Sequence, residues 1–142
     1  MIWDGQCAFC AYWIAHWQEL TKDKVNYQAY QQAAEDFPDI NKRHFMLASR
    51  LIECDGQIYS GPRSAYRTFT YGTKWRFLDR WYETKPWFKS LSNNMYSWVT
   101  KNRGKLYKLS KLLFGSNPRN LKPFWAVYLL LFLLFLYYLV VI

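Results

Sequence analysis

Apolar residues recur over the first twenty positions at the spacing of a helix and then change to the spacing of a strand. Phe9, Trp13, Trp17 and Leu20 fall three and four apart, so residues 7–20 are predicted to form a helix with one apolar face, ended by the polar run Lys22-Asp23-Lys24. Val25, Tyr27 and Ala29 alternate with Asn26 and Gln28, the period of a strand, and a polar loop containing Pro38 leads to a second strand near residues 47–54. Asp55-Gly56 then separates Leu51-Ile52 from Ile58-Tyr59. This is a hairpin signal, because the tight turn needs positive φ at both central residues. Gly61-Pro62 opens a further helix, since the missing N–H of proline costs nothing in a first turn; Ala65, Tyr66 and Phe69 share one side of it and Gly72 ends it. The order is α-β-β-β-α. Beyond it, residues 75–82 and 94–114 are predicted helical, with Pro86 between them and Gly115-Ser116-Asn117-Pro118 as a linker.

From Pro123 to Ile142 no residue carries a charge. Twenty residues at about 1.5 Å each extend roughly 30 Å, the thickness of a bilayer core, and the run is apolar on every face. It reads as a transmembrane helix, the alternative being a buried hairpin helix of a soluble fold, which would show a polar stripe. Trp125 and Tyr128 near one end and Tyr137 and Tyr138 near the other suit aromatic belts. The expected organisation is a first domain over 1–72, a helical extension over 73–115, a linker over 116–122 and the span over 123–142.

Charge supports this division. The 142 residues carry a formal +9, yet residues 1–83 hold ten acidic and ten basic side chains, and 84–142 hold nine basic and none acidic. A nucleic-acid binder can carry such a tail, but the uncharged run that follows Lys122 argues for a membrane and against nucleic acid. Lys101, Arg103, Lys105, Lys108, Lys111, Arg119 and Lys122 precede the span, and positive flanks stay on the cytoplasmic side, so the first domain is expected there, in a reducing compartment. No export signal precedes its first polar residues, in keeping with that side. Leu106, Leu109 and Leu113 form one helix face and Lys101, Lys105 and Lys108 another, which suits a segment lying on anionic lipid headgroups. Thirty aromatic residues, counted as 8 Trp, 12 Tyr and 10 Phe, are more than one small core needs.

The chemistry is concentrated in Asp4-Gly5-Gln6-Cys7-Ala8-Phe9-Cys10. Two thiols three apart at a helix start place Cys7 in the first turn, where free N–H groups and the helix dipole stabilise a thiolate, and Cys10 one turn further in. Cys7 is then the nucleophile, and Cys10 resolves the mixed disulfide. No cofactor is required. A c-type haem would need His directly after the second Cys, where Ala11 stands. Zinc would need about four ligands, and only Cys54, His16 and His44 are left to supply them. Asp4 has two readings: it shapes the turn or caps the helix, or its carboxylate accepts a proton during exchange.

Taken together, Asp4, Gly5, Cys7 and Cys10 resemble the Asp-Gly-x-Cys-x-x-Cys signature of the DCC family of thiol-disulfide oxidoreductases. The likeness continues through Leu51-Ile52-Glu53-Cys54-Asp55-Gly56-Gln57-Ile58-Tyr59-Ser60-Gly61 and Ala65, and again from Tyr96 to Asn102-Arg103, covering roughly residues 2–115. The resemblance implies an α/β (α+β) thioredoxin-like domain exchanging its dithiol with a protein or a small thiol. Only Met1, Ile2 and Trp3 precede Asp4, so the first strand of such a fold is expected to be short, and no proline precedes Leu47 where a thioredoxin carries one beside its thiols. A membrane-anchored oxidoreductase is the leading expectation. The alternative is an accessory subunit of a membrane complex, docked through Trp75, Trp81, Tyr82, Trp87, Phe88 and Trp98, because aromatic side chains dominate interface cores.

Overall fold

In a computed structural model that describes residues 1–38, 40–72 and 75–141, four short strands form one sheet in the order β2-β1-β3-β4. The strands are β1 (Ile2–Trp3), β2 (Gln28–Ala29), β3 (Arg50–Ile52) and β4 (Ile58–Ser60). β1 runs parallel to β2 and antiparallel to β3, and β3 pairs antiparallel with β4. Parallel neighbours need a crossover, and α1 (Ala8–Thr21) supplies it. α4 (Pro62–Phe69) follows β4 and packs back on the β3–β4 hairpin. This mixed α/β sheet with its helices fits a thioredoxin-like fold, and the first strand is as short as expected.

Two-residue periodicity divides the core. Met1 and Leu51 join Ile14, Val25 and Tyr59 in one buried cluster, while Ile2 joins Ala33 and Phe45 in another, with Ile52 packed against it. Successive strand residues thus feed opposite faces of the sheet.

Several elements differ from the sequence expectation. The polar stretch before β3 holds two short helices, α2 (Tyr30–Ala33) and α3 (Lys42–Leu47), so Leu47 ends a helix and does not begin a strand. Phe45, wholly buried against the rings of Tyr30 and Phe37, is what anchors this segment, and Asn41 caps α3 by accepting from the Arg43 N–H at 2.9 Å. The hairpin lies where it was expected, but Gly56 alone has positive φ (84°). The Glu53 N–H donates to Gln57 O across a longer connection, and Asp55 Oδ1 accepts from the Gln57 N–H.

The helical extension comprises α5 (Phe77–Thr84), α6 (Pro86–Lys101) and α7 (Arg103–Phe114). Pro86 starts α6 at a first-turn position and does not act merely as a separator. The long helix expected over 94–114 is broken at Asn102, whose side chain donates to the Trp98 carbonyl and whose backbone leaves helical geometry at φ −116°, ψ 16°. The inward face of α7 centres on Tyr107, Ser110 and Phe114, which meet Tyr12 and Trp13 of α1; Leu109, on the leucine face read from the sequence, is 44% exposed.

α8 (Phe124–Val141) forms where the span was expected, yet among the described residues no helix is long and apolar enough to cross a membrane. The expectation of a transmembrane helix is corrected accordingly. Pro123 stays outside the helix, and 18 residues at about 1.5 Å give roughly 27 Å, less than a bilayer core of about 30 Å. Residues 73 and 142, at which the extension and the span were expected to begin and end, lie outside the described residues.

Candidate functional site

Cys7 caps α1. Its backbone is extended (φ −89°, ψ 105°), its carbonyl accepts from the Ala11 N–H, and its Sγ accepts the Cys10 N–H at 3.2 Å. The sequence puts it there because Asp4-Gly5-Gln6 turns the chain out of β1: the Cys7 N–H donates to Asp4 O, and Gly5 is held by its N–H to Gln31 Oε1. A β-carbon at Gly5 would come within 2.7 Å of the Ala29 side chain, so this close approach to β2 admits only glycine.

Cys7 and Cys10 are joined in a disulfide with their Cα atoms 5.2 Å apart. That separation is within the ordinary range for a bridge, so the bond imposes no backbone displacement on the helix start. The Cys10 N–H and the positive end of α1 both meet the Cys7 sulfur, and each favours negative charge at that position.

Asp4 does not cap α1. Its Oδ1 accepts from the Gln6 N–H and from Gln31 Nε2, each at 3.1 Å, and its Oδ2 faces Arg103 Nη1 at 3.9 Å. Arg103 also donates to the Leu47 carbonyl, so one guanidinium joins the start of α7, the end of α3 and the cysteine loop. Sequence reasoning did not assign Arg103 to the site. It stands at the end of the third block of likeness, with Tyr96 at the beginning, and both prove to line the same cavity as Cys10.

That cavity is a cleft of about 280 Å³ between α1, α4, α6 and the start of α7. Cys10 and Asp4 lie on its wall beside Phe9, Trp13, Tyr66 and Val99. Its polar edge is a hydroxyl cluster: Ser49 N–H donates to Tyr96 Oη at 3.2 Å, Ser49 and Ser64 hydroxyls are 2.9 Å apart, and Tyr66 Oη donates to Ser92 Oγ.

The other candidate ligands stay apart from the thiols. Cys54 is exposed in the hairpin connection, and His44 lies in α3. His16 sits edge-on to Trp13, and burial pushes its pKa below the usual value. Among the described residues no group of three or more His, Cys, Asp or Glu side chains is gathered to hold a metal ion.

The family model for DCC1-like thiol-disulfide oxidoreductases matches residues 1–109, from β1 into α7. No curated protein and no solved structure matches the chain.

Proposed function

The chain belongs to the DCC1-like thiol-disulfide oxidoreductase family, and on that premise we propose that it cycles between the Cys7–Cys10 disulfide and the dithiol by exchange with a thiol-bearing protein. Cys7 attacks, Cys10 resolves, and Asp4 accepts the proton released. The observation that carries this reading is the position of Cys7, at a helix N-terminus with its sulfur already accepting the Cys10 N–H. A redox titration against a dithiol buffer, read by mass, tests it: the pair should interconvert as one two-electron couple. Alkylation at graded pH should then find Cys7 reacting well below the pH at which Cys54 does, and equal rates would refute a tuned nucleophile.

The same chain is held at a lipid surface with its redox domain on the cytoplasmic side. What supports this is the outward apolar surface of α8 from Phe124 to Leu139, preceded by seven basic residues between Lys101 and Lys122. Basic side chains near an anionic leaflet each add about 1 kcal/mol to association. The full chain should stay with membranes at high salt, and a chain ending before Pro118 should be released by salt. Labelling of Cys7 by an impermeant thiol reagent outside intact cells would place the domain on the other side.

A second reading, docking within a membrane complex, is favoured by the outward aromatic surface of α5 and α6, where Trp81 meets both Trp87 and Phe88. Comigration with other chains on native electrophoresis after mild detergent extraction would support it, and migration alone would exclude it.

A further inference from the structure

Thiol exchange needs access to one sulfur, and a cleft of about 280 Å³ behind Cys10 is more than that chemistry uses. Four of its features specify an occupant. Its walls are flat and apolar, with Phe9, Trp13, Trp17 and Tyr66 among the rings. Among the described residues its charged lining residues are Asp4 and Arg103, which face each other at 3.9 Å, so neither is offered unpaired to an anionic thiol such as glutathione. It has hydrogen-bonding groups for a neutral acceptor at the hydroxyl cluster, where Tyr96 Oη and Ser49 Oγ lie 3.3 Å apart. Finally, Met95 belongs both to its wall and to an exposed apolar stripe on α6 with Leu91 and Trp98, at 57% exposure, so the cleft is continuous with apolar surface.

We infer that this cleft binds a neutral, lipid-soluble quinone, which accepts the electrons of the reduced Cys7–Cys10 pair at Cys10. The inference rests on the redox reading above and adds the acceptor and the direction of flow. The Cys10 thiolate adds to an electrophilic ring carbon; a C–S bond forms and the π pair moves onto a carbonyl oxygen. The Cys7 thiolate then attacks Cys10 Sγ; the S–S bond forms, and the C–S bond breaks with its pair left on the ring. The two oxygens take up the two thiol protons. One dithiol is oxidised and one quinone is reduced to hydroquinone, with two electrons and two protons transferred. A thiol-bearing partner then reduces the disulfide again.

The test uses the full chain in detergent micelles with 2-methyl-1,4-naphthoquinone as the probe. Titrated into the oxidised chain, the quinone should quench tryptophan fluorescence saturably, and Val99→Phe and Ala65→Leu, which fill the cleft, should each weaken binding at least tenfold. Mixed without oxygen with the pre-reduced chain, it should remove two thiols and yield one hydroquinone, at a rate that saturates with quinone. Cys7→Ser should stall as a quinone adduct on Cys10, visible by mass. Quenching that stays linear with concentration, alike in the parent chain and both variants, overturns the inference. A parallel arm with oxidised glutathione separates the two readings: oxidation by glutathione but not by the quinone leaves the redox reading standing and defeats the quinone, whereas a pair oxidised by neither defeats the redox reading itself.

Discussion

Residues 1–69 and the helices after residue 77 differ in how much apolar side chain they bury. In the first region Met1, Ile2, Ile14, Val25, Phe45, Leu51 and Tyr59 close both faces of a four-stranded sheet, and the buried hydroxyls of Thr21, Ser64 and Thr68 donate to backbone carbonyls of their own helices or caps. In the second, the buried residues among those described are Asp79, Tyr82, Ser92 and Ser110, while Trp87 is 60% exposed and every described side chain of α8 faces outward. Small hydroxyls let α6 and α7 approach the first region closely. Ser110 accepts from the Trp13 indole, Ser92 from Tyr66, and the tryptophans are left outside. The first region therefore carries its own core, and the second is a wall whose apolar side is turned to whatever lies beyond the molecule. The cleft lies where the two meet, with Cys10 supplied by the first and Met95, Tyr96, Val99 and Arg103 by the second.

The sharpest contrast is chemical. Cys7→Ser should abolish thiol exchange, a loss of more than about a thousandfold measured with a dithiol reductant, because no second nucleophile stands at the helix start. Cys10→Ser should trap mixed disulfides on Cys7, detectable by mass. Retained turnover in both variants would refute a site built on the first region.

Stability should divide the regions next. Phe45 is 0% exposed, and Phe45→Ala should cost about 3–5 kcal/mol in denaturant unfolding. Trp87→Ala, despite deleting a larger ring, should cost less than about 1 kcal/mol in the isolated chain, since little water is excluded by it there. Comparable losses would show that the outer wall is a core after all, and would break the comparison.

How much of this was legible in the sequence follows the same line. Helix α1, the Gly56 turn and the Gly61-Pro62 helix start are local signals, set by spacing, by one positive φ and by one missing N–H, and they lie where the pattern placed them. Helices α2 and α3 were not legible, because Tyr30, Phe37 and Phe45 have no periodicity that a short window detects; burial in the finished fold orders them. The Cys7–Cys10 pair was legible as spacing. Arg103 as the partner of Asp4 was not, because the contact joins the two ends of the domain and depends on α7 crossing α1. The face of α7 that packs on α1 was not legible for a related reason: Ser110 and two rings form it, and they follow no apolar periodicity.

The seam between the regions holds an ionic cluster that sharpens the comparison by pH. Arg67 donates to both carboxylate oxygens of Glu53, at 2.7 and 3.2 Å, and to Asp79 at 3.3 Å, tying the hairpin to α5. The Arg67 hydrogen bond, aided by one from Tyr71 at 2.5 Å, holds the Glu53 carboxyl below its usual pKa. A depressed folded-state pKa stabilises above the unfolded value and is lost as pH falls through the folded one. Unfolding free energy should therefore decline as the solution is acidified through the ordinary carboxylate range and below it. Glu53→Gln should remove about 2 kcal/mol near neutrality, as expected for hydrogen bonds to a charged group, and flatten that acid limb. An unchanged limb would assign the acid sensitivity to other carboxylates.

The smallest effects come from two glycines, one in each region, and they should have opposite signs. Gly61, which caps α4, sits at φ 61°, ψ −135°, where a side chain strains the backbone even though the nearest atom to an added Cβ, on Tyr96, is 3.7 Å away. Gly61→Ala should then destabilise by about 1 kcal/mol through strain alone, with no clash to relieve. Gly104 lies in the first turn of α7 with nothing within 4 Å of an added Cβ. Gly104→Ala should stabilise by about 0.5 kcal/mol, because alanine loses less backbone freedom on entering a helix and meets only open space. Urea midpoints of the two variants beside the parent chain measure both shifts. A destabilised Gly104→Ala would mean that the start of α7 is covered by something this open space does not suggest, and that the wall is less outward than its exposed rings indicate.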